Sequence, residues 1–98
     1  MGIRAENQTA AAALSTLTQF TFLLLDLEAN GTTQVDGTRL AQLTQVVLRY
    51  VALVDAHTVD MLPYATRRPH TSHILVSVQA TRHKILQILQ HMLSQTSQ

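Results

Sequence analysis

The sequence predicts an all-α fold: a three-helix antiparallel bundle in up-down-up order, associating into a helical dimer. Three observations lead there. Apolar residues recur in alternating steps of three and four along three long stretches, the spacing of one face of an α-helix. Glycine and proline fall only between those stretches or in the lead-in, at Gly2, Gly31, Gly37, Pro63 and Pro69. The chain is 46% hydrophobic but only 4% aromatic, so its core is Leu, Val, Ile and Ala, a helix-bundle composition.

The first stretch sets the demands on the other two. Residues 1 to 7 (MGIRAEN) have no periodicity and read as a frayed lead-in, with Asn7 or Thr9 capping a helix over about 8–29. Ala10, Ala13, Leu17, Phe20, Leu24 and Leu27 form its seam, which Leu14, Thr21 and Leu25 widen. Asn30-Gly31 is the expected stop, because glycine accepts the left-handed conformation that closes a helix C-terminus. Phe22 and Leu23 point away from the seam. A helix that is apolar on more than one side needs cover on more than one side.

The polar connector GTTQVDG, residues 31 to 37, is short enough to turn the next helix antiparallel. Asp36 or Thr38 is the expected cap of helix 2, over about 38–62. Its seam is Leu40, Leu43, Val47, Tyr50, Val54, His57 and Met61, flanked by Val46, Val51 and Leu53. Pro63 is expected to stop it, since a residue before proline is pushed out of helical geometry. A loop from Pro63 to His70 carries Arg67-Arg68, and Thr71 or Ser72 is the expected cap of helix 3, over about 71–94. That helix presents Ile74, Leu75, Val78, Ile85, Leu86, Ile88, Leu89, Met92 and Leu93, and SQTSQ reads as a frayed tail.

Residues 1–98 are thus expected to form one helical domain, which as a sphere-like monomer would have a radius of gyration of roughly 13 Å. Cysteine is absent, which favours a reducing compartment and excludes thiol catalysis and Cys-based metal sites. The start Met1-Gly2-Ile3-Arg4-Ala5-Glu6 has Glu where a myristoylation signal needs Ser or Thr. Ser15, Thr16, Thr18, Gln19 and Thr21 interrupt the first apolar stretch, arguing against a signal peptide or a membrane span. A cytoplasmic protein is expected.

Chemistry is sparse. There is no nucleophile elbow, glycine-rich phosphate loop or paired-carboxylate arrangement, and the expected chain is not an enzyme and needs no cofactor. The histidines raise one alternative: a helix-bundle metal or small-ligand binder using His57, His70 and His73, with Asp55 and Asp60 nearby, since His with carboxylate suits zinc. The spacing matches no recognised zinc pattern, and His57 also reads simply as a seam residue.

Charge is divided along the chain. All six acidic residues lie in the first 60 positions; with three arginines there, that part carries −3, while residues 61 to 98 carry +4 from Arg67, Arg68, Arg82 and Lys84. Halves of opposite sign mean internal complementarity or an anionic partner, for which those four cations are the candidate contacts. A weak nucleic-acid binder using helix 3 is the second alternative, set against the overall +1 and the lack of stacking aromatics. The main expectation is a small non-enzymatic interaction or regulatory module: an adaptor, anti-activator, immunity protein or complex subunit. It acts through exposed apolar helix surface, with Phe20, Phe22, Leu23, Leu27, Leu86 and Leu93 at an interface with a protein partner, the first candidate being a second copy of itself.

Overall fold

Proline governs how the second and third helices meet, and not where the sequence suggests. The computed structural model describes the backbone of residues 3–29 and 37–96 and the side chains of residues 8–29 and 37–95. It contains α1 (Ile3–Ala29), α2 (Gly37–Ala65) and α3 (Pro69–Thr96). Pro63 lies inside α2 rather than stopping it. Proline removes the bond its own N–H would make to the carbonyl four residues back, here Val59, but the chain can complete a turn beyond it. Val59 and Pro63 face solvent, where water can take the freed carbonyl. The end is then closed by Thr66 Oγ1 donating to the Pro63 carbonyl at 2.9 Å and the Arg67 N–H donating to the Tyr64 carbonyl at 3.1 Å.

The connector shrinks accordingly to Thr66–Arg68. The Ser72 N–H donates to the Arg68 carbonyl at 3.0 Å, so Arg68 occupies the N-cap position and Pro69 the first helical one. Proline is favoured there because its missing donor would have been unsatisfied in any case. Thr71 and Ser72, expected as caps, lie inside the first turn of α3, and Thr71 is fully buried. The other ends also extend. α1 begins at Ile3, which places Asn7 and Thr9 within the helix, and α3 continues through the expected tail as far as Thr96. The stop at Asn30-Gly31 and the cap at Asp36 fall outside the described residues, while Thr38, the other expected cap, lies within α2.

Topology follows from the two apolar clusters. Ala10 near the start of α1, Met61 near the end of α2 and Leu75 near the start of α3 pack together. That juxtaposition sets α1 and α3 parallel, with α2 running antiparallel to both. The larger cluster fills the rest of the length with Leu17, Leu24, Leu40, Val47, Val51, Val54, Val78, Ile85, Leu89 and Met92 among its members. The result is an all-α helical bundle, with no strand among the described residues.

Shape departs from expectation for a plain reason. The molecule measures 47 × 19 × 17 Å, with a radius of gyration of 15.3 Å rather than roughly 13 Å. A helix of 27 residues is about 40 Å long, and three such rods laid side by side form a cylinder, not a sphere.

Threonine supplies the inner polar positions without breaking the helices. The hydroxyls of Thr18, Thr21, Thr44, Thr58 and Thr81 each donate to the carbonyl four residues back, at 2.7–2.9 Å. Each hydroxyl is satisfied within its own helix, so Thr21 can be buried beside leucine. The same bonding bears on the interruptions of the first apolar stretch. Two of the five interrupting residues, Thr18 and Thr21, turn their hydroxyls back on the backbone in this way, and Gln8–Ala29 is long and apolar enough by length and composition to cross a membrane. The interruptions in this stretch therefore do not by themselves exclude a span. A mostly buried core helix and a signal sequence near the N-terminus pass the same test; here 28% of the apolar window is buried within the bundle, Leu17 and Leu24 included.

Candidate functional site

The three helices do not pack equally. α1 and α3 share the most extensive contact, α2 meets α3 less closely, and α1 and α2 touch least. Between α1 and α2 lies a shallow groove of about 220 Å³, lined by Thr9, Ala12 and Ala13 of α1 and by Tyr50, Leu53, Val54 and His57 of α2. One turn and more below it, Phe20 meets Tyr50 edge to face, with ring centroids 5.8 Å apart and planes at 67°. This geometry sets the positive edge of one ring against the negative face of the other.

On the opposite flank α2 is tied to α3 by an ion pair. Arg82 donates from Nε to Asp55 Oδ1 at 2.7 Å and from its terminal nitrogen to Oδ2 at 2.9 Å. Both side chains are about one-third exposed, 31% and 39%. Arg82 occupies the break in the apolar stripe of α3 between Val78 and Ile85, so the pair fills a polar notch and sets how α2 slides along α3. One of the four expected anion contacts is therefore engaged inside the molecule, and the opposite charges of the two sequence halves meet at this point. Arg67, Arg68 and Lys84 are exposed. The two turn arginines line an open concavity with Pro63, Tyr64, Pro69, His70 and Thr71.

The expected interface residues scatter. Phe22 and Leu23 are exposed, as is Leu93, while Leu86 is half-buried. Phe20 and Leu27 are partly buried and pack against the main core cluster. Phe22 and Leu23 are neighbours in sequence, so they point about 100° apart and do not form one patch.

The larger apolar surface lies on α2. Of the ten large hydrophobic residues exposed among those described, six belong to it: Val46, Leu48, Leu53, Val59, Leu62 and Tyr64. Val46 and Leu53 are 54% and 68% exposed. Both flank the seam of α2 and are not among the residues expected at an interface. The signal was present in the runs Val46-Val47-Leu48 and Leu53-Val54. Consecutive residues on a helix are 100° apart, so three apolar residues in a row cannot share one buried face.

The histidines do not converge. His70 and His73 are exposed at the start of α3, and His57 lies in the α1–α2 groove. Among the described residues no group of three or more His, Asp or Glu side chains is placed to hold a metal ion.

No protein-family model, curated protein or solved structure matches the chain.

Proposed function

We propose that the chain is a small non-enzymatic interaction module, of the adaptor, anti-activator, immunity-protein or complex-subunit kind, that binds another protein chain through the outer apolar surface of α2. The observation that carries this reading is the concentration of exposed apolar side chains on the least enclosed helix. The six form two stripes along α2, Val46, Leu53 and Tyr64 on one side and Leu48, Val59 and Leu62 on another, and a small protein gains by covering such surface. Arg39 and Asp60 flank the first stripe and are exposed as well. The lack of cysteine supports action in a reducing compartment such as the cytoplasm.

The test is photo-crosslinking in the native host. A crosslinking amino acid at position 53, exposed on α2 beside the groove with α1, is compared with one at position 79, exposed on α3. The reading expects discrete adducts from position 53 and few from 79. Equal adducts at both positions, or none at either, would remove its basis.

A further inference from the structure

The exposed side of α2 that borders the groove with α1 holds a pattern that identifies its partner more closely. Arg39, Val46, Leu53 and Asp60 follow one another at intervals of seven residues and are all exposed. Residues seven apart return to nearly the same side of a helix, drifting by about 20° per step. They form a single stripe with a cation at one end, two apolar residues in the middle and an anion at the other.

We propose that this stripe pairs with the same stripe of a second copy of the chain, α2 against α2 in antiparallel orientation. The two-fold axis passes between Arg49 and Tyr50. In that register Val46 of each protomer meets Leu53 of its partner, and Arg39 of each meets Asp60 of its partner. Both ion pairs form together because one symmetry operation generates both, as an isologous interface requires. A parallel pairing would instead oppose arginine with arginine and aspartate with aspartate, so the charges select the direction. This inference rests on the interaction-module reading and names the partner for that same surface.

The register has one unfavourable feature. It brings the two Arg49 side chains to the same flank of the axis. Both are exposed, and long stems let exposed guanidinium groups turn apart into water, where salt screens them. Replacing Arg49 by Gln is therefore expected to tighten the dimer. The contact involves one helix per protomer, so it is smaller than a standard protein interface and the dimer is concentration-dependent.

The absence of cysteine from the chain makes a clean crosslinking test available. Chains carrying V46C are mixed with chains carrying L53C and oxidised, and the mixture is expected to form a disulfide-linked dimer. V46C alone should not, because its two copies stand about 10 Å apart along the axis, beyond disulfide reach. Sedimentation equilibrium then reads the charges. R39D should weaken the dimer about tenfold, and the double reversal R39D/D60R should restore it to near the wild-type value. Helicity by circular dichroism confirms that each variant is folded; the rescue by the double reversal shows that the loss comes from the pair.

Three results would overturn the proposal: a wild-type protein that stays monomeric at millimolar concentration, efficient crosslinking of V46C to itself, or a dimer indifferent to R39D. A monomeric wild type that still forms adducts with a different host protein from position 53 would end the self-pairing and leave the interaction module standing. A monomer without adducts would end both.

Discussion

The seam between α1 and α3 and the outer side of α2 are built from similar residues and do opposite things. Across the first, Leu17, Leu24, Ile85 and Met92 are fully buried. On the second, Val46, Leu53 and Val59 are more than half exposed. The difference is one of phase, not of composition. Val46 and Val47 are neighbours, and so are Leu53 and Val54, yet one of each pair is in the core and the other in solvent. A 100° step per residue separates them. Apolar content alone therefore does not mark the core of this protein; position around the helix does.

Substitutions at matched leucines give the sharpest contrast. Leu24→Ala should destabilise the protein by about 2–5 kcal/mol, the range for deleting a buried leucine side chain and leaving a cavity. Urea melts monitored by circular dichroism would measure it. A loss below about 0.5 kcal/mol would mean that the α1–α3 seam is not the main source of stability.

The edge-to-face contact between Phe20 and Tyr50 lies in the least extensive of the three helix contacts. Phe20→Leu keeps an apolar group there and removes the ring interaction, for an expected loss of about 0.5–1.5 kcal/mol. The same change should increase hydrogen exchange in the middle of α2 more than in α3. Uniform exchange across the three helices would show that α2 is held as firmly as its neighbours.

Arg82 and Asp55 test the other flank of α2. Both are partly exposed, so water screens the pair, and a double-mutant cycle with Arg82→Ala and Asp55→Ala should give a coupling of about 0.2–1 kcal/mol. Arg82→Lys should lose most of that coupling, because an ammonium group cannot donate two parallel bonds to one carboxylate. Full retention with lysine would show that charge alone, without the paired hydrogen bonds, accounts for the contact.

The smallest effect is expected at Leu53. Leu53→Gln should change the stability of the monomer by no more than about 0.5 kcal/mol, since its side chain is 68% exposed. A loss comparable to that of Leu24→Ala would erase the distinction between the two regions.

Much of this architecture was legible in the linear chain. The steps of three and four placed Ala10, Leu17 and Leu24 on α1, Leu40, Val47 and Met61 on α2, and Leu75, Ile85 and Met92 on α3, all of them buried. Periodicity reads well because each helix satisfies its own backbone and only needs one side covered. Helix ends read poorly. Pro63 signals a break from the chain's point of view, but its effect depends on whether the freed carbonyl meets water or protein. Pro69 could equally have closed a loop or opened a helix, and the bond from Ser72 to the Arg68 carbonyl decides for the helix.

What the sequence by itself determined is the number of helices, their inward faces and their alternating direction, since these depend on local periodicity and short connections. The order of closeness among the helices was decided only in three dimensions. Alanines on α1 meet Tyr50 and His57 on α2 and leave a groove. A polar notch on α3 receives Asp55 from α2. Both depend on which side chains of different helices come level with each other, and spacing within one helix carries no record of that. The exposure on α2 follows: the helix buries Leu40, Val47, Val51, Val54 and Met61 in the core, carries a ring contact and an ion pair on its flanks, and leaves six large apolar side chains exposed.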